Sequence, residues 1–303
     1  VALMNTKLPS NQVQFYLPNL DSLESSEQAF ADAFLRTAQT LHQYLAQLQS
    51  AVRAIQGFTD EPFSSAILGL YSKVCSHYYS YVLLEIYQQD QIGINFLVEQ
   101  LCEATITLMY LLEEADQALF YEYISASIEQ ACSLLVDVKE ELKESPKHIE
   151  LLRLKEKLEI FVSTHQEYPT RYSSGAKPKK WGFSTADTTN KRAELLGFSF
   201  ICNPARQFSS KVTPASWLDL YLNYAQPSLT NASNQDNLCI NFTRLRDTSH
   251  LCLHTTQSFL EEIVHRNNFS SSSLASQQNR LTSLYEWFHN AHRLYQLHHS
   301  RNR

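Results

Sequence analysis

The most constraining feature of this chain is a stripe of large side chains at Phe30, Phe34, Thr37, Leu41, Tyr44, Leu48, Val52 and Ile55. The steps are threes and fours, so on an α-helix all eight lie along one face. A strand would need a period of two, and no run in the chain sustains one. The same spacing returns at 63–89 (Ile67, Leu70, Val74, Tyr78, Tyr81, Leu84, Tyr87), at 116–144, at 148–163, at 236–267 and at 272–298. Only 6 of 303 residues are glycine, about a third of the usual share. Such a chain has little material for tight turns and reads as all-α.

Breaks between the stripes set the organisation. "GFTDEP" at 57–62 ends the first long helix, which runs over 22–56 and starts at an Asp21/Glu24 capping box. Pro146 interrupts the fourth. Residues 167–213 gather Pro, Gly, Ser and Lys and read as a loop-rich basic insertion containing one short helix, closed by Gly197. The expected layout is an N-terminal extension at 1–21, a bundle of long antiparallel helices at 22–166, the insertion at 167–213, and C-terminal helices at 214–303 that return to the bundle. The whole is expected as one composite domain.

Charge narrows the function classes. Residues 1–138 hold 4 basic and 16 acidic side chains, whereas 139–211 hold 14 and 9. The acidic first half argues against wrapping nucleic acid. Any such contact falls on 177–192, through Lys177, Lys179, Lys180, Lys191 and Arg192, a cluster whose plainer reading is a solvated loop. No apolar run reaches the length of a membrane span. Met4 reads as the initiator, with no basic-then-apolar leader, and the expected setting is cytoplasmic. There the six cysteines, without a CxxC pair, read as free thiols, and the sequons at Asn231, Asn241 and Asn268 carry nothing.

"GINFLVEQLCEATITLMYLLEEAD" at 93–116 is apolar nearly all round yet carries Glu99 and Glu103 one turn apart. Two carboxylates on a bundle helix could begin a di-metal site, which needs Glu-x-x-His elements on further helices, such as Glu262/His265, but the plainer reading is a narrow structural polar stripe. His250, His254, Glu261 and His265 share a helical face. His-x-x-x-His is the spacing of a zinc clip, but a third ligand is missing and the stripe reads as a solvated face. No metal or other cofactor is expected. Places where Arg is followed four to six residues later by His include Arg36/His42, Arg244/His250 and Arg293/His298–His299. A guanidinium beside an imidazole could cleave RNA without metal, stabilising phosphate charge and removing the 2′-hydroxyl proton. Arg244 and His250 are the best-placed pair for that role. Glycine-rich phosphate loops, GxSxG and HExxH are absent.

"FLVEQLCEATITLMYLL", "AELLGF" and "SWLDLYLNYAQPSLTNAS" together resemble landmarks of an uncharacterised bacterial helical family similar to the HEPN superfamily, bundles recurrent in toxin–antitoxin and phage-defence systems. The resemblance implies a scaffold in which Glu103 meets Tyr221, Tyr224 and Ser228 in a structural polar network. Glu99 stands where the family's Arg would be, and Asn231-Ala232-Ser233 where its His would follow, so the two residues suited to chemistry are replaced. The expectation is therefore a non-catalytic helical interaction protein, acting by self-association or with a protein partner in a larger assembly. The alternative is a metal-independent HEPN-type ribonuclease using Arg244 and His250.

Overall fold

The computed structural model describes residues 17–55, 57–58, 61–87, 91–113, 117–165, 188–199, 240–267 and 271–301. A 3-10 turn at Leu20–Ser25 leads into α1 (Glu27–Arg53), α2 (Pro62–Ile86), α3 (Gln91–Glu113), α4 (Gln117–Glu144), α5 (Ile149–Thr164), α6 (Thr189–Leu195), α7 (Phe242–Asn267) and α8 (Ser271–Arg301). No strand occurs among the described residues. The fold is all-α, as the periodicity requires.

Local chemistry sets the helix ends. The first long helix does not start at an Asp21/Glu24 box. The chain first forms a short 3-10 helix capped by Asn19, and Ser26, in extended backbone, then caps α1 by accepting from the Ala29 amide at 3.1 Å. Pro62 opens α2, where a missing amide proton costs nothing. Gly197 closes α6 at φ 74°. Its amide bonds Glu194 O while the Phe198 amide bonds Ala193 O, the paired bonds of a Schellman ending that needs a left-handed residue. Asn241 is the cap of α7, its side chain accepting from the Arg244 amide at 2.9 Å.

The described residues fall into two compact units, one from 1–113 with 193–303, the other from 114–192. This differs from the sequence grouping, which placed 22–166 in one bundle. In the first unit α7 is central, packing against α1, α2, α3 and α8. Phe34 meets Phe242, Trp287 and Phe288 at centroid distances of 5.1, 5.4 and 6.0 Å. α3 is buried continuously from Ala104 to Leu111, which is why it is apolar all round. Its Glu99 and Glu103 sit before that stretch, both half-buried.

In the second unit α4 packs on α5 as a hairpin. The turn after Ser145 contains Pro146, and His148 caps α5 through Nδ1. α4 buries Phe120, Ile124, Ile128, Ala131 and Val138, whereas α5 has no buried residue.

Candidate functional site

The central helix α7 carries most of the buried polar chemistry. Thr248, Ser249, Thr255 and Thr256 are all buried, which a sequence reading of polar residues as solvent-facing does not foresee. Each hydroxyl donates to a carbonyl one turn back on its own helix, at Arg244, Leu245, Leu251 and Cys252. With their protons placed there, the oxygens remain acceptors that another helix can use. α2 uses two of them. Tyr71 meets Thr256 at 3.3 Å and Tyr78 meets Ser249 at 2.8 Å. Seven residues separate the partners on each helix, in opposite directions, so the two helices run antiparallel along a polar seam.

Arg244 and Glu85 continue that seam. The guanidinium donates twice to Glu85 Oε1, at 2.8 and 3.2 Å, and once to Asn95 on α3 at 3.1 Å. The Glu85 side chain is 2 % exposed. Its pKa is raised by burial, which outweighs the lowering by Arg244. Tyr81, wholly buried, lies beside Glu85 and Thr248 without a hydrogen bond of good geometry.

His250 faces a different neighbour. It stacks on Tyr285 of α8 at 4.1 Å, meets Phe288 edge-on, and places Nε2 3.3 Å from the Tyr285 carbonyl oxygen. Six residues of helix turn a side chain through about 120° relative to its starting direction. Arg244 therefore points to α2 and α3 while His250 points to α8, and the structure does not bring the pair together on one phosphate-sized spot. Burial lowers the His250 pKa to about 4, helped by the nearby Arg246 charge.

The guanidinium–imidazole contact that does form joins Arg246 to His292, 46 residues apart and invisible to any spacing rule. Arg246 donates to His292 Nδ1 at 2.9 Å and pairs with Asp247, while His292 Nε2 lies 3.0 Å from Thr243 Oγ1. A guanidinium can only donate, so Nδ1 must be the unprotonated nitrogen and Nε2–H must donate to Thr243. His292 cannot then take the Thr243 proton. Burial first, then Arg246, lowers its pKa to about 4. A general base at neutral pH wants a value near 7, so neither buried imidazole is poised as one.

Other candidates disperse. His254 is exposed and meets Tyr285 and Phe198, beside a shallow cleft of about 170 Å³ lined also by Leu253, Gln257, Leu281 and Thr282. Glu261 accepts from Gln257 and Gln278, and Glu262 from Arg266. Among the described residues no group of His, Cys, Asp and Glu is gathered as a metal would require. His42 stacks on Tyr79, and His298 and His299 lie against Phe30 and Tyr295. Lys191 is exposed, but Arg192 is wholly buried and donates to Thr189 at 3.1 Å. Arg192 thus leaves the proposed basic cluster, because its charge is turned inward. Lys177, Lys179 and Lys180, and the Tyr221, Tyr224 and Ser228 expected around Glu103, lie outside the described residues.

Fold and site together define an all-α bundle protein whose central helix is tied in by a buried polar seam. The chain belongs to a family of unknown function, DUF5677, whose profile matches residues 64–228, more than half of its length. Glu85 and Asn95 fall inside that span, Arg244 and His250 beyond it. No curated protein and no solved structure matches the chain. Among the described residues no helix is long and apolar enough to cross a membrane.

Proposed function

We propose that this protein is a non-catalytic helical scaffold that works by association, on a framework similar to the HEPN superfamily and in a cytoplasmic setting. One observation carries the reading. The α4–α5 hairpin leaves Ile149, Leu152 and Ile160 exposed at 63, 43 and 58 % while burying no residue of α5. Large aliphatic side chains held in water along one short helix are a standing gain for any partner that covers them. The polar groups of α7 and α8 support the same reading, since Arg244, Arg246, His250 and, on α8, His292 are each engaged within the fold rather than aimed at a shared reacting position.

The test is the native mass of the full-length chain against an Ile149→Glu/Ile160→Glu variant. A particle heavier than one chain that falls to single-chain mass in the variant is expected. Single-chain mass for both overturns the reading.

A further inference from the structure

The outward face of α5 is patterned for one occupant. Ile149, Arg153, Glu156 and Ile160 follow one another in steps of four, three and four, the spacing of a coiled-coil seam. All four are exposed. α4 reaches the helix from another side, through the Lys139–Glu159 pair at 3.2 Å, and Lys155 pairs with the same Glu159 within α5 at 3.9 Å. Glu150 and Lys157 flank the outward seam, also exposed. None of these four charged side chains belongs to an ion pair among the described residues.

We infer that this face binds a second copy of the same chain, α5 against α5, antiparallel about a two-fold axis. The inference rests on the association reading above and names its partner and surface. With the axis between Leu154 and Lys155, Ile149 faces Ile160 of the second copy at both ends of the contact. In the middle Arg153 faces Glu156 of the second copy, twice, by symmetry. Along the flank Glu150 faces Lys157 of the second copy, also twice. Along the seam and this flank, each apolar residue meets an apolar one and each charge meets its opposite. Parallel pairing would set Arg153 on Arg153 and Glu156 on Glu156, so the charges also select the direction. Such a self-complementary patch is what a two-fold interface demands.

A helix of 16 residues is about 24 Å long, too short to bury the area of an obligate dimer. The dimer is therefore reversible and concentration-dependent. The central Arg–Glu layers fix register at a cost in affinity.

Sedimentation of the full chain across a wide concentration range tests this, using Arg153→Glu, Glu156→Arg and the combined swap. All positions are exposed, and circular dichroism of each variant serves as the check that folding is unchanged. The parent should dimerise reversibly. Each single reversal should weaken dimerisation by about tenfold, since like charges then oppose at both symmetric positions, and the swap should restore it to near the parent value. As a check on direction, Ile149→Cys protein mixed with Ile160→Cys protein should form the mixed disulfide in preference to either homodisulfide. A parent that stays monomeric to its solubility limit overturns the second copy as occupant. Self-association that ignores the single reversals, or that the swap fails to rescue, overturns the surface while leaving the association reading standing.

Discussion

Tyr78 on α2 and Ser249 on α7 meet hydroxyl to hydroxyl at 2.8 Å, both wholly buried. The direction of the bond follows from the second contact of Ser249, which donates to Leu245 O at 2.7 Å. Its proton is committed there, so Tyr78 is the donor. Tyr78→Phe then removes a donor and leaves Ser249 with its own bond, at a cost of about 1 kcal/mol. Ser249→Ala leaves a buried phenol without an acceptor and should cost more, about 1–3 kcal/mol. The double variant should be less destabilised than the sum of the two. Urea unfolding of the four proteins checks the order, and equal single costs with full additivity would show that the hydroxyls do not interact.

Arg244 and Glu85 predict a larger asymmetry. Arg244→Met leaves the Glu85 carboxylate buried without its cation, a loss of about 3–5 kcal/mol. Replacing both, as Arg244→Met with Glu85→Leu, removes the stranded charge and should recover most of that loss. If the double replacement is as unstable as Arg244→Met alone, the pair contributes something other than charge compensation, such as the Asn95 tie to α3.

These two contacts also show where the sequence is legible and where it is not. The helices could be read because one period governs long stretches in a chain nearly free of glycine. The seam was less visible, because Ser and Thr on α7 look solvent-facing until their protons are assigned to the helix's own carbonyls. A signal did exist: Tyr71 and Tyr78, and Ser249 and Thr256, share the same seven-residue step. The Arg246–His292 contact has no such signal, since it depends on how α8 returns along α7. Arg192 misled for a related reason, a basic residue beside exposed Lys191 on a helix of 7 residues, where neighbours one step apart point about 100° away from each other.

The separation of Arg244 from His250 makes a prediction about RNA. Purified protein in excess EDTA should not cleave a mixed single-stranded and structured RNA pool through these residues, because the imidazole is stacked on Tyr285 and the guanidinium is held by Glu85. Turnover by the parent that disappears in Arg244→Ala/His250→Ala would show that the two act together and would overturn the scaffold reading.

His250 and His292 should make the fold acid-sensitive in a defined window. Each is held at about 4 in the folded chain, below the usual 6.5. Below pH 6.5 the unfolded chain takes up these two protons and the folded chain does not, so stability falls as pH drops towards 4. Above 6.5 both states are neutral and the contribution is flat. Each imidazole adds a slope of at most about 1.4 kcal/mol per pH unit within the window. Glu85, whose pKa is raised, acts in the opposite sense as it protonates, so the dependence is best assigned by substitution. His292→Gln retains an acceptor for Arg246 and a donor for Thr243 without a titrating group, and His250→Phe retains a ring against Tyr285. Melting temperatures between pH 7 and 4.5 should fall less steeply in either variant than in the parent, and least in the double. Identical slopes in all four proteins would mean that these imidazoles take up protons in the folded chain as readily as in the unfolded one, contrary to their buried contacts with Tyr285, Arg246 and Thr243.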